Sequence, residues 1–174
     1  MTEAQDNFRK WFSEPLQQLN ANGDAAFAVL MITFPLLERY LREKSGVVEG
    51  DLNDSFHDEF HRIFSAPARK LVPKLWHSYR NGLLHQATFS KKNKYGKVMP
   101  SSFITSRVAL IEYNAKDDAF FVNPKAFSEK VIATIQSDFS VFEATSSSYH
   151  PLPEIRSTPP TFLSGGGPPP SGVM

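Results

Sequence analysis

Arg80 and His85 stand five positions apart in the stretch KLWHSYRNGLLHQATF, with Asn81 next to the arginine. A guanidinium offers phosphate oxygens a planar fork of donors. An imidazole with its ordinary pKa of about 6.5 both takes and gives a proton near neutral pH. An amide beside them can orient either the phosphate or the imidazole. The three side chains therefore suit proton transfer next to a bound phosphate. Lys91, Lys92, Lys94 and Lys97, with Tyr95 among them, follow directly. A basic loop carrying an aromatic ring is what single-stranded RNA binding uses, and four lysines are also what an ordinary solvated loop carries.

A helix must hold these residues. Leu75, Trp76, Tyr79 and Leu83 recur at helical spacing and make its core face. At about 100° per residue, Arg80 and His85 are about 140° apart around the axis, and His77, Asn81 and Thr88 point between them. This polar sector is expected to project away from the chain's own core, with His77 as a further RNA contact. Leu84 falls inside it, awkward on a bare surface and natural in a seam between two copies.

Other chemistries find less support. His57-Asp58-Glu59-Phe60-His61 places two histidines one helical turn apart, as in zinc peptidases. The residue after the first histidine is Asp, one methylene too short to activate a zinc-bound water, and no third ligand follows, so no metal and no cofactor are expected. The glycines at 165–167 have no strand before them and no helix after them, which removes a phosphate-cradling loop, and no G-x-S-x-G elbow is present. With no cysteine, thiolate metal sites, disulfides and a cysteine nucleophile are excluded.

The chain has 174 residues, 19 basic and 18 acidic side chains and 41% hydrophobic residues, enough for one domain with some chain to spare. A net charge of +1 gives no global field towards nucleic acid, so an RNA role needs the local basic patch. The longest apolar stretch, 25–37, falls short of the roughly 20 residues that span a bilayer. The first residues lack the basic and apolar pattern of an export signal, and the expected location is the cytoplasm.

The expected fold is mainly α: a bundle of four to five helices over 1–144, with a small β-hairpin at about 98–123 before the last helix. Helix one covers about 4–20, with Pro15 as a kink or a restart. Helix two follows Asp24 as cap and bends at Pro35, just before Glu38. Ser55 and Asp58 have capping-box spacing for helix three, and Pro67 and Pro73 compete to open helix four. The β-prone runs 103–105, 108–113 and 119–122 precede Asn123-Pro124, which starts a last amphipathic helix to about 144. Residues 145–174 hold seven of the thirteen prolines without hydrophobic period and are expected to form a disordered tail.

The pairing of Arg80, polar Asn81 and His85 on a helix of such a bundle resembles the R-x4–6-H motif of the HEPN superfamily, over about residues 24–89. The resemblance implies a metal-independent endoribonuclease working as a homodimer, with the two motifs facing each other. It also implies a supporting carboxylate on an earlier helix, for which Glu38 matches best, with the role of fixing the Arg80 guanidinium. Such proteins often serve as toxins or in phage defence and are restrained or activated by a protein partner. Metal-free RNA cleavage needs a base for the 2′-hydroxyl, an acid for the leaving oxygen and a cation for the phosphorane. One motif supplies one titratable group, which is a physical reason for a composite site. Two other readings stand beside this one: a non-catalytic module of the same kind binding RNA, a nucleotide or a protein, and a structural protein with a coincidental motif.

Overall fold

The computed structural model of the chain describes residues 1–47, 52–83 and 95–143. It is mainly helical, with a small three-stranded sheet ahead of the final helical segment.

Helix α1 (Glu3–Phe8) opens on a capping box in which the Thr2 hydroxyl accepts from the Gln5 N–H while the Gln5 amide oxygen accepts from the Thr2 N–H. A π turn, Arg9–Ser13, then leads into α2 (Glu14–Asn20). Pro15 lies in the first turn of α2, where it has no N–H to offer and its ring would crowd the carbonyl four residues back. The wider turn relieves both problems, and Pro15 sits in the first turn of the segment that starts after Ser13, the restart expected for it.

A short 3-10 turn, Gly23–Ala25, precedes α3 (Ala26–Ser45). Its cap is Asn22, whose side-chain oxygen accepts from the Asp24 N–H at 3.1 Å; Asp24, expected as the cap, lies within the turn. Helix α3 continues through Pro35 and ends at Gly46, whose φ of +69° suits a residue without a Cβ. Leu30, Phe34, Leu37 and Leu41 are fully buried, as an almost uniformly apolar helix requires.

Helix α4 (Asp54–Phe64) is capped by Asn53, which accepts from the Phe56 N–H at 3.0 Å. The expected Ser55–Asp58 box is absent because Asn53 already caps the first turn and Asp58 pairs with Arg69. Pro73, rather than Pro67, opens α5 (Val72–Trp76), and a second π turn, His77–Asn81, carries this helix onward.

Strands β1 (Ser101–Ile104), β2 (Ile111–Asn114) and β3 (Ala119–Val122) lie in the order β1-β3-β2. The expected hairpin is β2 with β3, antiparallel with Ile111 opposite Val122. The structure adds β1, which pairs parallel to β3 with Ser101 opposite Ala119, so the hairpin is one part of a mixed sheet. Asn123 caps α6 (Pro124–Ser137) by accepting from the Ala126 N–H, as its position before Pro124 suggests.

The last helix does not run unbroken to 144. It stops at Asp138, whose carboxylate takes Lys44 at 2.7 Å, Tyr40 at 3.2 Å and Ser140 at 3.1 Å, and a short α7 (Ser140–Glu143) follows. The bonds from Lys44 and Tyr40 hold this break against α3. Phe139 and Phe142 then close against Phe8, joining the two ends of the described chain. The segment expected to be a disordered tail, 145–174, lies outside the described residues. At the centre, Phe34 meets Phe127 at 4.9 Å, Trp76 at 5.5 Å and Tyr79 at 5.8 Å between ring centroids.

Candidate functional site

Two elements build the site. Glu38 and Arg42 are one turn apart on α3, where its apolar surround gives way to a polar stripe. His77, Arg80 and Asn81 come from the π turn that extends α5. Tyr79, next to Arg80, fixes how that turn is rotated. Its ring stacks on Phe34, and its phenol donates to the Phe103 carbonyl at 2.8 Å and accepts from the Phe103 N–H at 3.1 Å. Burial raises the pKa of this phenol well above its ordinary value, so the contact to β1 stays a neutral hydrogen bond.

With Tyr79 turned inwards, Arg80 reaches sideways to α3. Its Nε donates to one oxygen of Glu38, and Arg42 Nε donates to the other at 2.9 Å. Arg80 Nη1 also donates to the Asn81 side-chain oxygen at 3.3 Å, and the Asn81 amide nitrogen stands 3.2 Å from His77 Nδ1. These contacts order one another. Since a guanidinium only donates, the Asn81 oxygen must face Arg80, and the NH2 group must face His77. His77 Nδ1 is then an acceptor, and its proton sits on Nε2. The result is a continuous chain from Arg42 through Glu38, Arg80 and Asn81 to His77.

The Glu38 side chain is 10% exposed, that of Arg42 13% and that of Arg80 26%. Arg80 therefore lies in the seam between α3 and the π turn, and does not project away from the core as an isolated-helix projection suggests. A regular 100° wheel takes no account of a neighbouring carboxylate or of a π turn; both decide the direction here.

A cleft of about 460 Å³ opens over these residues, and Glu38, Arg42, His57, His77, Arg80 and Asn81 line it. Leu52 and Trp76 contribute apolar wall, and the exposed Tyr95 stands at its edge. Four side chains singled out by residue type and spacing, His77, Arg80, Asn81 and Tyr95, thus meet in one place with Glu38, the carboxylate that the resemblance implies. Lys97 is exposed and does not line the cleft. Leu84, His85, Lys91, Lys92 and Lys94 lie outside the described residues.

Arg42 is a site residue that the motif does not announce, although its place four residues after Glu38 is the spacing of an ion pair on one helix. His57 also enters the cleft, in a role different from the metal ligand weighed for it. It is nearly buried, which together with Arg69 lowers its pKa below the ordinary 6.5. His61 instead contacts the Pro67 carbonyl at 3.2 Å, so the two histidines of this helix serve separate surroundings. Among the described residues no group of three or more His, Asp or Glu side chains comes together as a metal site. No described helix is long and apolar enough to cross a membrane.

Comparison with family models, with curated proteins and with solved structures gives no match. The functional reading therefore rests on this cleft and on the chemistry of its residues.

Proposed function

We propose that the chain is a HEPN-like, metal-independent endoribonuclease whose substrate phosphate lies in the cleft over Arg80. The observation that carries this reading is the chain of contacts Glu38–Arg80–Asn81–His77 on the floor of that cleft. A carboxylate holds the arginine in place, an amide sets the tautomer of an imidazole, and both cation and imidazole border a space that admits a nucleotide-sized group.

In the proposed reaction the 2′-oxygen forms a bond to phosphorus while the bond from phosphorus to the 5′-oxygen breaks. A base takes the 2′-hydroxyl proton, an acid protonates the departing 5′-oxygen, and Arg80 stabilises the charge gathering on the non-bridging oxygens. His85 is the acid/base group of the motif, and Asn81 supports the phosphate or an imidazole. A second copy of the chain supplies the second titratable group, with Leu84 in the seam. Lys91, Lys92, Lys94 and Lys97 draw in the RNA backbone, and Tyr95 stacks on a base. The products are a 2′,3′-cyclic phosphate and a 5′-hydroxyl. A toxin or defence effector in the cytoplasm, restrained or activated by a protein partner, is the setting that this activity suits.

Purified protein incubated with mixed single-stranded RNA in EDTA tests the reading, with Arg80→Ala and His85→Ala beside the parent. Cleavage to cyclic phosphate ends, lost in both variants, is the expected result. Equal cleavage by all three proteins places the activity elsewhere, and RNA binding without cleavage makes the chain a non-catalytic module.

A further inference from the structure

Five large hydrophobic side chains are exposed among the described residues, and three of them crowd into 95–103: Tyr95, Val98 and Phe103, at 81%, 71% and 48% exposure. This run starts at the edge of the cleft, where Tyr95 stands, and ends on β1. Phe103 and Phe121 are paired across β1 and β3. Their rings lie nearly parallel, 16° apart in plane with centroids separated by 5.1 Å, close to the spacing of neighbouring strands. Because β1 is an edge strand, Phe121 covers one π-face of Phe103 and no described strand covers the other. The backbone under the ring is fixed. Phe103 exchanges hydrogen bonds with the buried Tyr79 phenol, and the Ser101 and Thr105 N–H groups donate to the Asp118 and Val122 carbonyls. Since Tyr79 adjoins Arg80, the ring is tied to the helix that builds the cleft.

We propose that Phe103, backed by Phe121, is a stacking platform for a base of the single-stranded RNA that enters the cleft. The proposal rests on RNA being the ligand, as in the preceding reading. A base adds to the two rings as a third layer, which requires an open π-face on a rigid support and no particular sequence. The surroundings favour this occupant over a protein surface. Ser101 and Glu112, both exposed, border the ring pair, so its apolar area is that of one or two rings, far below the roughly 800 Å² that each partner buries in a standard protein interface. Exposed cations flank the strand, Lys97 before it and Arg107 after it, which suits a phosphate backbone passing the ring. The carboxylate of the patch, Glu112, stands opposite Phe121 on β2, two strands away from the open face.

Binding of a 2′-O-methyl single-stranded oligoribonucleotide reads this directly, since the blocked 2′-oxygen stops cleavage and leaves affinity alone. Affinity is measured from low to moderate salt for the parent, Phe103→Leu and Phe103→Trp, with thermal melting as the check on folding and sedimentation as the check on assembly. Leucine keeps most of the apolar bulk and removes the π-face. Phe103→Leu is expected to bind about tenfold more weakly with the parent slope of log affinity against log salt, because no phosphate contact is lost. Phe103→Trp, with a larger π-face, is expected to bind at least as tightly as the parent. Parent affinity in a folded Phe103→Leu overturns the proposal, and if its sedimentation has changed the face belongs to a second copy of the chain. If Phe103→Leu does not fold, binding weaker than the parent's in a folded Phe103→Trp overturns it equally. Unblocked RNA in EDTA judges the underlying reading separately: a parent that binds with these sensitivities and does not cleave keeps the platform and removes the nuclease. A parent that binds no RNA removes both.

Discussion

Glu38→Gln is the single change at which charge and burial combine most directly. It keeps an acceptor of the same shape and removes the only negative charge in the Arg42–Glu38–Arg80 group, leaving two guanidiniums side by side. Breaking a buried ion pair by neutralising one partner costs about 3 kcal/mol, and a chemical denaturation curve should show a loss of that order with an unchanged slope. His57 gives a separate and smaller signature. Burial, with Arg69 adding to it against the opposing pull of Asp54 and Asp58, holds its folded pKa below 6.5. The unfolded chain therefore binds a proton that the folded chain refuses, and stability rises with pH through this window. Its contribution is complete above about pH 6.5 and is lost as pH falls below that value. Melting temperatures between pH 7.5 and 5 should decline for the parent and decline less for His57→Gln. The carboxylates held low by their ion pairs, Asp58 and Glu59 among them, start from 3.8 and 4.5 and act only in more acidic solution.

At the scale of elements, the π turn and the sheet act together through Tyr79. The turn shifts the register of the helix, Tyr79 enters the core, and its phenol ties the turn to β1. Tyr79→Phe keeps the ring and its stacking on Phe34 but leaves the Phe103 N–H and carbonyl without this partner. A loss of about 1–2 kcal/mol is expected, with the fold retained by circular dichroism. If Arg80 owes its direction to this tie, RNA affinity falls in the same variant even where it is fully folded. Unchanged affinity would mean that Glu38 alone aims the arginine. Legibility in the sequence differed sharply between these elements. The core face Leu75, Trp76, Tyr79 and Leu83 is visible as a helical period, and all four residues are buried. The π turn is invisible to such a period, because nothing in side-chain type announces a change in backbone hydrogen bonding. The same limit applies to β1: a short run such as 103–105 shows β propensity but not its partner or its bounds, and pairing of 101–104 with β3 depends on a contact distant in sequence.

For the whole molecule, the composite-site reading makes a prediction about assembly. Leu84→Asp should convert a dimer to a folded monomer in sedimentation and abolish RNA cleavage while leaving thermal melting of the monomer cooperative. A monomeric parent protein that cleaves RNA would remove the need for a second copy. The mainly helical class, the hairpin of β2 and β3, the start of α6 and the buried core were all set by the sequence itself, because hydrophobic period, Asn-Pro capping and β-prone runs act locally. The local caps were less secure: Asn22 and Asn53 displaced Asp24 and Ser55, since several polar residues near a helix start compete for the same N–H groups. Arg80 and Asn81 were legible as candidates by residue type and spacing, and Glu38 through the resemblance. Only the tertiary structure decided that Glu38 reaches Arg80, that Arg42 joins them and that His57 and His77 border the same cleft. Those contacts span from four to forty-two residues of sequence and depend on how α3 passes the π turn. The packing of Phe34 against Tyr79 and Trp76 fixes that approach.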